Sequence, residues 1–378
     1  MTGSRIARVE AWPVAYTEPN DHDGQRFVTI VRLTADDGTT GWGEAVTLFR
    51  EAALATAVLV DGLAEVVVGA DAGRPAALWH AVKEQTWWYG EGGIATFALS
   101  AIDIAAWDLT GRLRGVPVVD LLGGAVHESL PICVTSHATM ADLGEEAERF
   151  AGWIDELRAI GCKVGFGKRG EANLGFDHDR DIAFVRRLRG AIGDERQIMI
   201  DLGVRVRWSV ADAVRRVRGF EEERVHWVEE PLGADNPAGY ATLRAKTNTL
   251  IAYGEREWTV SGYRRIVDTG TVDVVGIDAG RAEGLTGFMR ASQYASSAQR
   301  QVNAHAFAGP LSYAAGLAAS LVSPTCHQME VAPLVNSAVR DLAPTLPRPS
   351  HGRVTALPGA GLGVEIDESA LGAMRLEP

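Results

Sequence analysis

The alternation of apolar and polar stretches changes character at about residue 129. Beyond that point, short apolar runs alternate with amphipathic stretches such as 145–160 and 181–192. The apolar runs lie at residues 130–135, 162–168, 197–202, 225–229, 250–254, 272–278, 300–304 and 326–331. Eight strand-then-helix units within roughly 200 residues are typical of a (β/α)8 barrel. A doubly wound open sheet is the competing fold, but no GxGxxG sequence follows the first strand to favour it.

The first 125 or so residues predict a smaller domain of mixed structure. Residues 28–33 form a β-branched run and residues 41–45 a second short one, with a turn signal between them. Further along, one apolar helical face is formed by Leu99, Ile102, Ala106, Leu109 and Leu113. Short strands beside helices of this kind indicate an α+β domain.

Composition narrows the classes of partner that this chain can have. The chain of 378 residues has 37 Lys and Arg against 49 Asp and Glu, which gives a formal net charge of −12. Nucleic acid and anionic membranes bind through clustered Lys and Arg, so we expect neither as a partner. No apolar run approaches the roughly 20 residues of a membrane span, and the N-terminus lacks the apolar stretch of a signal peptide. We therefore expect a cytoplasmic protein.

An ionisable residue closes seven of the eight predicted barrel strands. These residues lie 23 to 33 positions apart and are Lys168, Asp201, Glu229, Glu255, Asp278, His305 and Glu330. Taken singly, an acid after a strand is often a helix N-cap, and a lysine or histidine there is often a rim or core residue. Seven such groups on one rim would repel one another and would be costly to desolvate without a role. Because the loops that follow barrel strands share one rim, the set predicts a common functional site.

Three of these carboxylates predict a metal site. Asp201, Glu229 and Glu255 close three adjacent strands, so their side chains can converge. Three converging anions need a cation, and ligation by oxygen alone suits Mg²⁺. Zinc would normally recruit His or Cys, and neither residue type stands at these positions.

Two bases flank the predicted metal site. Lys168 lies one strand before it and His305 two strands beyond it, while Asp278 can orient His305 and raise its basicity. Two bases on opposite faces of a bound carboxylate indicate abstraction of the α-proton through an enediolate, which the metal and hydrogen-bond donors stabilise. Glu330, if protonated, can donate to the second carboxylate oxygen.

These residues and the motifs around them resemble the enolase superfamily, and within it the mandelate racemase subgroup. The N-terminal motifs that carry the resemblance are Gly41-Trp42-Gly43-Glu44, the segment 100–108 and Leu121-Leu122-Gly123-Gly124. The barrel motifs are Val228-Glu229-Glu230-Pro231, Gly254-Glu255, Asp278 and Asn303-Ala304-His305, in that order. The resemblance implies Mg²⁺ held by Asp201, Glu229 and Glu255. It also implies an acid/base pair of Lys168 with the His305–Asp278 dyad, and Glu330 as electrophilic partner.

The resemblance also implies a domain organisation. We expect an α+β capping domain over residues 1–125 and a (β/α)8-type barrel, which carries the active site, over residues 126–355. Residues 356–378 form a C-terminal segment that we expect to return to the capping domain. Homo-oligomers are common in the family, so we expect a homo-oligomer.

The chain departs from the family pattern at two places near the site. The family's second strand often ends in Lys-x-Lys, whereas Phe166 stands at the first of these positions, where a substrate-binding lysine is usual. Lys163 is a weak replacement, because an offset of five from Lys168 puts it on the other strand face. The loop after the third strand carries Arg205 and Arg207, which either bind the substrate in place of the missing lysine or are exposed loop cations.

Together these features favour an Mg²⁺-dependent lyase that dehydrates a sugar acid to a 2-keto-3-deoxy acid. The alternative is a racemase, epimerase or cycloisomerase that acts on a carboxylate with the same residues. A barrel that keeps the metal ligands without catalysis is the third hypothesis. In either enzymatic case the expected partner is a small-molecule carboxylate.

Overall fold

The structure, a computed structural model, describes residues 3–305 and 307–377. Its N-terminal part begins with a three-stranded antiparallel sheet in which β2 lies in the middle. The strands are β1 (Ile6–Glu18), β2 (Gly24–Ala35) and β3 (Thr40–Ala45). Strand β3 packs closely on a long helix because Gly43 has no side chain, and a Cβ there would overlap the carbonyl oxygen of Ala101.

Five helices complete this capping domain. They are α1 (Arg50–Gly62), α2 (Ala64–Val67), α3 (Pro75–Thr86), α4 (Gly93–Arg114) and α5 (Val118–Leu121). Gly115 follows the last residue of helix α4 and terminates the helix in a left-handed conformation, which favours glycine. By length and composition α4 could cross a membrane, but 78% of its most apolar window is buried inside the protein. This burial is typical of a core helix.

Eight parallel strands form the second part. They are β4 (Leu130–His137), β5 (Gly161–Phe166), β6 (Gln197–Leu202), β7 (Trp227–Glu229), β8 (Leu250–Tyr253), β9 (Val274–Ile277), β10 (Gln301–Ala304) and β11 (Met329–Val331). Strands β4 to β10 are neighbours in chain order, and β11 pairs with β4 on its other side. The sheet closes where Val302 of β10 forms a parallel bridge to Cys326, just before β11. The expected barrel with an α+β cap is thus confirmed, and the open-sheet alternative is wrong.

One helix follows each barrel strand. The helices are α6 (Leu143–Leu157), α7 (His178–Ile192), α8 (Val210–Glu222), α9 (Pro237–Lys246), α10 (Val260–Asp268), α11 (Gly284–Ser297), α12 (Pro310–Val322) and α13 (Ser337–Leu342). Side-chain caps fix several starts: Asp142 accepts from the backbone of α6, and Ser209 forms a capping box with Asp212 at α8.

The chain beyond the barrel packs against both parts. Strand β12 (Arg353–Val354) pairs antiparallel with β4, and α14 (Glu368–Met374) follows. The backbone amide of Leu376 then donates to the carbonyl oxygen of Pro13 in β1 at 2.8 Å.

Two buried carboxylates of the cap hold it over the barrel mouth. Glu44 of β3 accepts hydrogen bonds from the backbone amides at the start of α12, including that of Gly309 at 2.7 Å. Asp103 of α4 accepts from the amide of Thr286 at 2.8 Å and from its hydroxyl at 2.7 Å, near the start of α11. Helix N-termini carry unpaired amides and a partial positive charge, so both carboxylates pin the cap at the carboxyl ends of the barrel strands.

Candidate active site

The barrel register sets several of the predicted polar residues at one level. Asp201 of β6 pairs with Gly165 of β5 on one side and with Glu229 of β7 on the other. Paired residues on parallel strands face the same side of the sheet, so both carboxylates point into the barrel. Glu255 lies two residues beyond the end of β8, after Gly254, whose φ is 145°.

Lys168 lies against Asp201, although not as a strand residue. Strand β5 ends at Phe166, and Gly167 turns the chain with a φ of 68°. The lysine side chain then folds back over Gly165, where a Cβ would lie 3.0 Å from its Cε. Its Nζ lies 2.9 Å from Oδ2 of Asp201. Burial opposes ionisation of Asp201, but the charges of Lys168 and Lys163 outweigh it and lower the pKa of that carboxyl.

His305 lies on the other side of the carboxylates, between two acids. Its Nδ1 lies 2.7 Å from Oδ2 of Asp278, and its Nε2 lies 3.4 Å from Oε2 of Glu255. Asp278 is fixed in turn, because its Oδ1 accepts from the amide of Gly280 at 2.8 Å. Burial disfavours the charged imidazole, but Glu255 and Asp278 more than compensate and raise the pKa of His305 to about 9.

Lys163 is a member of this cluster, although strand alternation relative to Lys168 places it on the other strand face. Its fully buried Nζ lies 2.8 Å from Oε2 of Glu229 and 2.7 Å from Oε1 of Glu330. Burial alone would lower the pKa of Lys163, but these two carboxylates raise it well above its ordinary value. The prediction that Lys163 lies on the other strand face is wrong, because Lys168 lies beyond the end of β5 and strand alternation does not relate the two lysines.

Glu330 uses one oxygen for the protein and leaves the other free. Oε1 accepts from Lys163 and, at 2.6 Å, from Nδ2 of Asn303. Its Oε2 is buried and has no hydrogen-bond partner among the residues that the structure describes. The carboxyl is therefore oriented from one side and can meet a ligand from the other.

The donor set fits a divalent cation that prefers oxygen ligands. Asp201 and Glu229 lie on the neighbouring strands β6 and β7, and Glu255 follows the next strand, β8. Oδ1 of Asp201 is buried with no hydrogen-bond partner in the described part of the chain. Within that part, no group of three Asp, Glu, His or Cys side chains lies close enough together to hold a metal ion without rearrangement. Lys168, Lys163 and His305 instead supply the positive charge that the three carboxylates require.

Three residues expected to bind the substrate are not brought to this cluster. Phe166 is fully buried and packs edge-to-face on Phe184 of α7 and Phe220 of α8. Its side chain therefore lies between the barrel strands and the outer helices, not inside the barrel. Arg205 and Arg207 lie exposed on the loop after β6. The Cζ atom of Arg205 lies 5.9 Å from the ring centroid of Phe176. Their positions correspond to core packing for Phe166 and to the exposed-cation alternative for the arginines.

His137 also borders the cluster and was missed from the sequence. It is the last residue of β4 and contacts Asp21, in the short turn between β1 and β2 of the cap. The signal was weak, because His137 lies two residues beyond the first apolar run of the barrel, although β4 extends to it.

A cavity of about 400 Å³ lies elsewhere, in the cap, and is lined by Arg74, Trp107 and Arg114 among others. It contains none of the strand-end residues described above. The chemistry of the strand-end cluster, rather than this cavity, defines the candidate active site.

Comparison with known families identifies the family of the chain. Residues 8–123 match the family described as mandelate racemase/muconate lactonizing enzyme, N-terminal domain, and residues 143–370 match the one described as enolase C-terminal domain-like. The chain belongs to the mandelate racemase/muconate lactonizing enzyme family of the enolase superfamily. The resemblance found in the motifs is thereby confirmed.

Relatives in this family include sugar-acid dehydratases. A D-gluconate dehydratase from Thermoproteus tenax is 29% identical over 370 residues, which is 97% of this chain and 73% of that protein. A D-galactonate dehydratase from Xanthomonas axonopodis pv. citri (strain 306) is 30% identical over 376 residues, which is 93% of this chain and 91% of that protein.

Solved structures of similar proteins superpose over nearly the whole chain. The 3,6-anhydro-D-galactonate cycloisomerase from Zobellia galactanivorans has a TM-score of 0.87 and 25% identity, covering 99% of this chain and all of that one. An enolase from Bradyrhizobium, complexed with magnesium and mandelic acid, has a TM-score of 0.87 and 26% identity, covering 100% of both chains.

Proposed function

We propose that the chain is an Mg²⁺-dependent dehydratase that converts a sugar acid into a 2-keto-3-deoxy acid. The observation that carries the proposal is the placement of two bases on opposite sides of three carboxylates, Lys168 at Asp201 and His305 at Glu255. The dehydratases among the relatives, 29% and 30% identical over nearly the whole chain, support the sugar-acid class.

The reaction divides between the two bases. One of them, Lys168 through Nζ or His305 through Nε2, takes the proton from the α-carbon, and the electron pair of that C–H bond moves towards the carboxylate. The other base delivers a proton to the β-hydroxyl, so that the C–O bond breaks and water leaves. The resulting enol tautomerises to the 2-keto-3-deoxy acid. Asp278 holds His305 in place throughout through its Nδ1.

The remaining residues stabilise the charge that develops. Glu330, with a proton on Oε2, would donate a hydrogen bond to the substrate carboxylate, while Lys163 and Asn303 orient it through Oε1. Asp201, Glu229 and Glu255 would hold Mg²⁺, which would neutralise negative charge on the substrate carboxylate. The partner is a small-molecule acid, and we extend the proposal to a cytoplasmic homo-oligomer with the cap, barrel and C-terminal boundaries given above.

A racemase, epimerase or cycloisomerase is the second candidate. Two opposed bases suit the removal of a proton on one face and its return on the other equally well. The resemblance to a structure named as a cycloisomerase supports this alternative. The two functions differ in whether the substrate's β-substituent leaves as water.

Proton NMR in D₂O distinguishes these outcomes. The protein is incubated with Mg²⁺ and pooled sugar mono- and diacids, with a chelator control. Loss of an α-proton signal with a new keto-deoxy methylene supports dehydration. Deuterium exchange with a retained or inverted skeleton supports the isomerase class, as does a rearranged product, and no change with any acid overturns both.

Variants then test the two bases. Lys168→Ala and His305→Ala should each abolish turnover, whereas Lys246→Ala and His327→Ala, at exposed positions, should leave it unchanged. Full activity in both active-site variants would show that the two-base assignment is wrong.

A further inference from the structure

His137 borders the site on the same side as Lys168. It pairs with Gly165 of β5, which pairs in turn with Asp201, so the three residues stand at one level and face the barrel interior. Because Gly165 has no side chain, the imidazole and the Lys168 side chain share the space above it. A Cβ at Gly165 would lie 2.6 Å from Cδ2 of His137 and 3.1 Å from Cγ of Lys168.

The cap determines which nitrogen of His137 carries the proton. Nδ1 lies 2.8 Å from Oδ1 of Asp21, and Oδ2 of Asp21 accepts from Nη2 of Arg26 at 3.1 Å and from Nε at 3.2 Å. Burial opposes ionisation of Asp21, but these hydrogen bonds hold its pKa below the ordinary value. An ionised carboxylate only accepts hydrogen bonds, so Nδ1 of His137 must donate.

The other nitrogen is therefore an acceptor. Burial, and next the charge of Lys168, lower the pKa of His137 to about 4, so the ring is neutral at pH 7. With the proton on Nδ1, Nε2 carries a lone pair and has no hydrogen-bond partner among residues 3–305 and 307–377. The ring is held in place because Phe307 stacks on it, with centroids 5.4 Å apart.

We propose that Nε2 of His137 accepts a hydrogen bond from a substrate hydroxyl, and that Asp21 and Arg26 fix the tautomer which this requires. The inference rests on the proposed function and deepens it. A neutral Nε2 without a proton cannot protonate a leaving group, so the hydroxyl it binds is one that stays on the substrate. The site thus selects polyhydroxy acids over acids that lack that hydroxyl, and the cap residue Asp21 keeps Nε2 an acceptor for it.

The tautomer is tested by ¹⁵N NMR of protein labelled at histidine, with His137→Phe used to assign the signal. We expect Nδ1 protonated and Nε2 unprotonated at pH 7. Asp21→Asn should reverse this, because Arg26 attracts the amide oxygen and leaves the amide N–H₂ facing Nδ1. A proton on Nε2 in the unmodified protein would overturn the inference.

Specificity is tested with D-gluconate, D-galactonate and their monodeoxy analogues. For one hydroxyl, kcat/KM should favour the parent acid by about 10- to 100-fold. His137→Phe should narrow that ratio by about tenfold or more, while His327→Phe, at an exposed site, should not change it. An equal loss for parent and analogue would indicate a merely structural role and overturn the inference.

These experiments distinguish a failure of the proposed function from a failure of the His137 inference. Exchange or loss of the α-proton in the unmodified protein reports on the proposed function before any variant is compared. If the unmodified protein turns over sugar acids without preference for any hydroxyl, only the His137 inference is overturned. If no acid shows α-proton chemistry, the proposed function is overturned and this inference with it.

Discussion

The ammonium group of Lys163 lies 2.7 Å from Oε1 of Glu330, inside the barrel, and 2.8 Å from Oε2 of Glu229. The lysine thus neutralises two carboxylates that water does not reach. Removing one partner of a buried ion pair leaves uncompensated charge, which typically costs about 3–5 kcal/mol. We expect Lys163→Met to lower the free energy of unfolding by about that amount, measured by urea denaturation at pH 7.

Two further variants show whether the loss comes from the stranded carboxylates. Lys246→Met, on the exposed side of α9, should change stability by no more than about 0.5 kcal/mol. Glu330→Gln combined with Lys163→Met should recover part of the loss, because one buried charge is then removed. A Lys163→Met protein as stable as the Lys246→Met control would contradict the ion-pair argument.

The His305–Asp278 contact gives a prediction about activity. Nδ1 of His305 lies 2.7 Å from Asp278, and this contact fixes the ring so that Nε2 faces the carboxylates. Asp278→Asn keeps the shape but loses the charge and favours the wrong tautomer. We expect turnover of the accepted sugar acid to fall by about 10²- to 10⁴-fold.

The measurement is steady-state kinetics with Mg²⁺, with Asp268→Asn as a control at an exposed position that contacts Tyr294. Circular dichroism should show that both variants are folded. Turnover by Asp278→Asn within threefold of the control would mean that the dyad does not position the base.

The architecture could be predicted because the same unit recurs eight times. All eight apolar runs became barrel strands, since strand and helix in a (β/α) unit leave separate signatures in hydrophobicity. Strand β1 (Ile6–Glu18) was not predicted. It lies at the edge of its sheet, next to β2, and it contains Pro13 and mixed polar residues, so its pattern is weak.

The site could be predicted only as far as strand alternation holds. Asp201 and Glu229 were found because they lie on regular strands, at the same level. The position of Lys163 was predicted wrongly, because the turn at Gly167, with its φ of 68°, ends the regular strand before Lys168. For the loop residues Arg205 and Arg207, the charge alone left substrate binding and solvent exposure as alternatives, because the sequence does not fix where a loop side chain points.

Mg²⁺ should stabilise the protein through the three carboxylates. A ligand that binds only the folded state raises the free energy of unfolding by about 2.7 kcal/mol when its concentration is one hundred times its dissociation constant. Glu229→Gln should remove most of this gain, whereas Glu222→Gln, with 72% of its side chain exposed, should retain it. Thermal unfolding with added Mg²⁺ or chelator measures both. An Mg²⁺ effect as large in Glu229→Gln as in the unmodified protein would exclude Glu229 as a ligand.

Asp103, at the junction between cap and barrel, should make the stability of the protein depend on pH. Burial is the largest influence on Asp103 and raises the pKa of its carboxyl from 3.8 to about 7, against the hydrogen bonds from Thr286. Between pH 4 and pH 7 the folded protein therefore keeps a proton that the unfolded chain releases. The contribution of Asp103 to stability is full below about pH 4 and is lost as the pH rises towards 7, by at most about 1.4 kcal/mol per pH unit.

Asp103→Asn isolates this contribution, because asparagine does not titrate. Other buried acids, such as Glu44, titrate in both proteins and cancel when the two unfolding free energies are subtracted. Measured by urea denaturation from pH 4 to pH 7, the variant should gain stability relative to the unmodified protein as the pH rises. Asp61→Asn, at an exposed position on α1, should show no such trend. If the difference for Asp103→Asn is flat, the hydrogen bonds from Thr286 outweigh burial and the carboxyl is already ionised at pH 4.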